Sequence, residues 1–131
     1  MEPREFTNIR SKLNKTQKEI SQLLGTSIKA IHSYEQGWRS IPAHVERQMF
    51  YLAFKRLEMP KKQKSCWQIT RCPKSRRDQC PAREFKMYKL CWFICGTLCQ
   101  GVVHRTWKEK MAVCRKCPVF QPLLKVAESR E

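Results

Sequence analysis

The sequence predicts a mainly α protein in two parts, an N-terminal helical bundle and a small, irregular cysteine-rich module. Three observations predict this. All eight cysteines lie between Cys66 and Cys117, and the first half of the chain has none. Helical periodicity with recognisable caps fills that first half. The second half loses the periodicity and, counting Pro122, carries four of the seven prolines, which favour loops over long helices. The expected organisation is a head over 1–59, a basic linker over 60–65, a cysteine module over 66–120 and a mostly polar tail over 121–131.

In the head, Phe6, Ile9 and Leu13 at helical spacing predict a first helix over Glu5 to Leu13, broken by Asn14-Lys15-Thr16. Thr16 followed three residues later by Glu19 is a capping box. It starts a second helix that runs to Leu24, with Ile20, Leu23 and Leu24 expected to face inward. Gly25 ends it as a C′ glycine does. Thr26 or Ser27 caps a third helix reaching Glu35, with Ile31 and Tyr34 as its core pair and Gly37 as its stop. Pro42 suits the first turn of a fourth helix, with no breaker before Met59. One stripe on it is Val45, Met49, Leu52 and Arg56. A second is Phe50, Phe54 and Leu57, which reads equally as core or as an interface, either a dimer seam or a dock for the cysteine module.

Two short helices joined by Leu24-Gly25-Thr26 have helix-turn-helix geometry, since a three-residue turn with a glycine swings the second helix across the first. The second helix can then lie in a major groove while the first spans the backbone. Over roughly Phe6 to Arg56 the head resembles the Xre or phage-repressor helix-turn-helix family. The resemblance rests on Thr16-Gln-Lys-Glu-Ile-Ser-Gln-Leu-Leu-Gly-Thr-Ser27 and on Ile31-His-Ser-Tyr-Glu-Gln-Gly37. It implies that Gln17 grips a DNA phosphate near the helix N-terminus, where the dipole also favours an anion. It implies a structural ion pair between Arg10 and Glu35. The exposed side of the recognition helix is expected to be Ser27, Ile28, Lys29, His32 and Ser33. There Lys29 suits guanine, Ile28 suits a thymine methyl, and the short Ser33 leaves room or reaches a base. Arg39, with Trp38, is placed to touch backbone. Each of these side chains taken singly reads equally well as an ordinary solvated residue; their grouping on a basic chain favours DNA. The chain departs from the family after Pro42, where one long helix replaces two short ones.

In the second half the spacings are Cys66-x5-Cys72-x7-Cys80, Cys91-x3-Cys95-x3-Cys99 and Cys114-x2-Cys117. This half resembles the two-CW domain, a small module of regulatory and signalling proteins of anaerobic bacteria. The matching residues are Cys66-Trp67, Cys72, Cys80-Pro81-Ala82, Cys91-Trp92, Gly96-Thr97-x-Cys99-x-Gly101 and Cys114-x2-Cys117-x-Val119-Phe120. Cys95 is outside that pattern. The expected metal ligands are therefore Cys66, Cys72, Cys80, Cys91, Cys99, Cys114 and Cys117. An all-cysteine zinc site usually uses two Cys-x2-Cys knuckles, and only Cys114 and Cys117 have that spacing. Iron–sulfur clusters take thiolates at more varied spacing. An iron–sulfur cluster is thus the first expectation, zinc the second and a thiol–disulfide switch the third. Nearby cations (Arg71, Lys74, Arg76, Arg77, Lys116) favour thiolates. Trp67 and Trp92 are expected to pack over the site, as core or as a cover against water.

A net charge of +16, from 27 basic and 11 acidic side chains, favours polyanions, nucleic acid before an anionic membrane surface. No apolar run approaches the roughly 20 residues of a membrane span, and Met1-Glu-Pro-Arg-Glu does not read as a signal peptide. A cytoplasmic location follows as an expectation, and there clustered cysteines more often mean metal or redox chemistry than structural disulfides. His32, His44 and His104 are isolated, with no paired-carboxylate or Ser-His-Asp arrangement, so an enzyme is not expected. The expected function is a DNA-binding transcriptional regulator, a homodimer on double-stranded DNA, whose cysteine module holds a metal or cluster and senses redox state or metal. The alternative is the same DNA-binding head with a structural zinc or docking module that senses nothing.

Overall fold

The computed structural model describes residues 1–56, 73–77, 79–86, 91–93 and 106–128. These residues are mainly helical, with no strand among them. The chain divides into two compact units, Met1–Met59 with Leu123–Glu131, and Pro60–Pro122. No helix among the described residues is long and apolar enough to cross a membrane.

In the first unit, α1 (Pro3–Lys12) begins two residues before the expected Glu5. Pro3 occupies the first turn, where its missing N–H costs nothing, and Glu2 and Glu5 form a capping box. The box explains why Glu5 is buried although charged. After α1, Asn14 adopts a left-handed backbone with φ 56°. Helix α2 (Gln17–Leu24) starts on the Thr16 cap: Glu19 N–H donates to Thr16 Oγ1 at 3.1 Å, and Thr16 N–H donates to Glu19 Oε1 at 3.1 Å. It ends at Gly25, φ +65°. Helix α3 (Ile28–Gln36) is capped by Ser27, whose Oγ accepts from Ala30 N–H at 3.1 Å, and ends at Gly37, φ +78°. Helix α4 (Ala43–Arg56) follows Pro42, whose carbonyl accepts from Val45 and Glu46 N–H. Residues 57–59, expected to continue it, lie outside the described residues.

Helix α1 packs against α3 and α4, and α2 packs against α3. Phe6, Ile9, Ile20, Ile31, Tyr34, Val45 and Met49 are buried, and Phe6 meets Tyr34 edge-on at 6.1 Å. Leu23 corrects the sequence reading, being 53% exposed. Ile20 and Leu24 bury one stripe of α2, and buried Ser21 widens it away from Leu23. Leu23 therefore turns to solvent. Of the second α4 stripe, Phe50 is buried and Phe54 half-buried; Leu57 lies outside the described residues.

In the second unit, two four-residue helices, α5 (Lys74–Arg77) and α6 (Pro81–Glu84), precede a 3₁₀ turn over Cys91–Phe93. Helix α7 (Trp107–Cys114) starts on Thr106, whose Oγ1 accepts from Glu109 N–H at 3.2 Å, and it packs against the 3₁₀ turn. Trp92, Trp107, Met111 and Phe120 are buried. Trp92 meets Phe120 edge-on at 5.3 Å. Within the mostly polar C-terminal segment, Gln121–Glu128 forms α8, whose residues from Leu123 onward belong to the first unit; Leu123 and Leu124 are buried.

Candidate nucleic-acid interface and cysteine site

Helix α3 buries Ala30, Ile31 and Tyr34. At 3.6 residues per turn the opposite face consists of Ile28, Lys29, His32 and Gln36, and all four are exposed. Ile28 is 46% exposed, a large apolar side chain held in water. Ser27 is exposed as well, its Oγ already accepting the capping bond. Ser33 is only partly exposed, and its hydroxyl donates back to Lys29 C=O at 3.0 Å. The Ser33 proton is thus used within the helix.

Beyond Gly37 the chain folds back over the end of α3, with Trp38 and Arg39 N–H both donating to Ser33 C=O at 3.0 and 3.4 Å. Trp38 is 73% exposed, and its ring meets His32 edge-on at 5.3 Å. Ser27, Ile28, Lys29 and His32 therefore share one outward-facing region with Trp38 against it, and exposed Arg39 is next in the chain. Gln36 belongs to the same face and was missed in the sequence, although its place one turn after His32 is a sufficient signal.

Gln17, the first residue of α2, has a different setting. Its Nε2 donates to Glu35 Oε2 at 2.6 Å. The expected Arg10–Glu35 pair forms, with Arg10 Nε 2.5 Å from Glu35 Oε1 and Nη2 3.4 Å from Oε2. Arg10 Nη1 also donates to Lys15 C=O at 2.9 Å. One carboxylate near the end of α3 thus ties down α1 and the start of α2. The second amide proton of Gln17 takes no part in that bond.

Only three of the seven expected ligand side chains belong to the described residues. Cys114 is buried; Cys80 and Cys117 are half-buried. Cys66, Cys72 and Cys99, and the side chain of Cys91, lie outside them, as does Trp67. Cys114 closes α7, and Cys117 N–H donates to Cys114 C=O at 2.9 Å, so both cysteines sit on one tight turn. That turn and its thiol chemistry fit one edge of a thiolate-bound metal or cluster. Among the described residues no three potential ligands converge. Trp92, one of the two tryptophans expected to cover the site, is buried.

No protein-family model, curated protein or solved structure matches this chain.

Proposed function

We propose that the head is a helix-turn-helix reader of double-stranded DNA and that the chain acts as a transcriptional regulator. The observation that carries the reading is the exposed face of α3. Ile28, Lys29 and His32 point outward from a helix fixed at both ends, by Ser27 and by Gly37. In this reading Lys29 and Ile28 read base edges, and Arg39 and Gln17 hold phosphates, which set register but carry no sequence information. The Glu35 bond turns the Gln17 amide into a preorganised phosphate donor at the start of α2, where the dipole favours an anion. The net charge of +16 supports a polyanionic partner, and a homodimer would present two heads to a two-fold operator. The test is selection from a randomised duplex pool. Lys29→Ala is expected to change the preferred bases, and Gln17→Ala to weaken binding to all sequences alike. If neither changes DNA binding, the reading fails.

For the second unit we propose a thiolate-bound iron–sulfur cluster held by Cys66, Cys72, Cys80, Cys91, Cys99, Cys114 and Cys117, or a subset of them. When bound, a cluster supplies a one-electron redox centre. Its state would bias DNA binding only if the two states interact differently with the head or its dimer. The Cys114–Cys117 turn favours a second reading, a structural zinc site that senses nothing. Protein purified without oxygen separates them. A brown protein containing iron and sulfide supports the cluster; a colourless protein with stoichiometric zinc and oxidant-insensitive DNA binding supports the second reading.

A further inference from the structure

A groove on the first unit lies apart from the exposed face of α3. Among the described residues it is lined by Leu13, Leu23 and Leu52 and by Lys15, Lys55 and Arg56. Three of its lining side chains are leucines and three are cationic. Its volume is about 280 Å³, below the roughly 300–1,000 Å³ of pockets for drug-sized ligands. A groove of that size has room for one or two anchoring side chains of a peptide.

The leucines argue against a phosphate backbone, which offers them nothing apolar. The cations disfavour a second copy of this chain seated groove to groove across a two-fold axis, because three cations would then face three cations. Lys15 is only loosely occupied, with Nζ 3.7 Å from Glu19 Oε2 in an exposed pair, the kind of pair that contributes little. Lys55 Nζ lies over the Tyr51 ring at 5.8 Å, and Arg56 is exposed. What complements this groove is an amphipathic helix with large apolar residues one turn apart and carboxylates beside them, the helix-in-groove mode of peptide recognition.

We propose that the groove between Leu13, Leu23 and Leu52 docks an acidic amphipathic helical segment of a partner protein. Leucine or phenylalanine anchors fill the groove, and aspartates or glutamates meet Lys15, Lys55 and Arg56. The proposal is independent of DNA recognition, because it uses none of the residues on the exposed face of α3.

The test uses the full chain and a fluorescent synthetic helix of about 16 residues, with leucines at i, i+3, i+4 and i+7 and glutamates on its flanks, a design following. Saturable binding that Leu23→Ser and the double variant Lys55→Glu/Arg56→Glu each weaken at least tenfold is expected. Leu23 is 53% exposed, so Leu23→Ser leaves the core intact, which circular dichroism checks. DNA binding by Leu23→Ser is expected to be unchanged, which separates failure here from failure of the DNA reading. Equal binding of a peptide with the same composition in scrambled order overturns the proposal, as does a peptide affinity that ignores both variants. Tighter binding to phosphatidylglycerol vesicles than to the peptide, lost in the same variants, also overturns it and assigns the groove to an anionic membrane.

Discussion

Gln17 donates its side-chain amide to the Glu35 carboxylate at 2.6 Å, so the first residue of α2 is fastened to the end of α3 across 18 positions of sequence. Glu35 also receives Arg10 from α1. The angle between α2 and α3, on which any groove-reading head depends, is thus held by a carboxylate that never faces outward.

Removing that carboxylate is expected to be costly. The Glu35 and Arg10 side chains are 8% and 20% exposed. Breaking a fully buried pair by deleting one partner costs about 3–5 kcal/mol. Arg10 keeps some water here, so Glu35→Ala is expected to lose about 2–3 kcal/mol in urea unfolding, scaled down from that range. Glu35→Gln keeps an acceptor oxygen and is expected to lose less.

The capping box on α2 makes a pH prediction. Bonds from Thr16, first its backbone N–H and then its side chain, hold the Glu19 carboxyl below its ordinary value of 4.5, with Lys15 adding to the effect. A group depressed in the folded state contributes stability above its unfolded pKa, and that contribution is lost as pH falls through the folded value. Acid unfolding of Glu19→Gln is therefore expected to show a shallower pH dependence below about 4.5 than the parent. Thr16→Ala removes the reciprocal bond and is expected to cost about 1 kcal/mol at neutral pH.

Gly25 and Gly37 test backbone strain alone. A Cβ at Gly25 would meet nothing within 4 Å, and one at Gly37 would touch Pro3 Cγ at 3.6 Å, an ordinary contact. Each alanine substitution is thus expected to cost about 1–2 kcal/mol from the left-handed backbone, and each asparagine less. Thermal melts of the four variants check this.

Two side chains on the candidate interface should separate by salt dependence. Arg39→Ala is expected to lower the slope of log affinity against log salt by about 1, as a lost phosphate contact does, while Lys29→Ala costs about 1–3 kcal/mol on the preferred duplex and relaxes discrimination. Salt titrations on preferred and random duplexes read both.

The head was largely legible because its signals are local. Thr16 with Glu19, Gly25, Ser27 and Gly37 each mark a helix end by their own chemistry, and each sits where that chemistry predicts. The Leu23 error arose because α2 has only eight residues. In so short a helix, Leu23 and Leu24 are both compatible with a core stripe until the packing against α3 chooses. Phe50 was ambiguous for a related reason, since its stripe on α4 adjoins the Val45–Met49 stripe and only the packing against α1 decides which is buried. The tight bond between Gln17 and Glu35 was not legible at all. The sequence marks both residues, but an 18-residue separation carries no sign that they meet. In the cysteine half the spacing names the thiols without saying which of them share a site, because separation along the chain does not fix separation in space.

The caps that frame α3 also limit how much information one head can carry. Nine residues at 1.5 Å each make a rod of about 14 Å, which spans about four base pairs at 3.4 Å per step. A four-letter word recurs about every 256 base pairs, against the 10⁶–10⁹ competing sites of a genome. If the helix reads DNA as proposed, a single head is too short an address to designate one gene. In that reading, two heads at fixed spacing would square the odds, and pairing would lengthen the address.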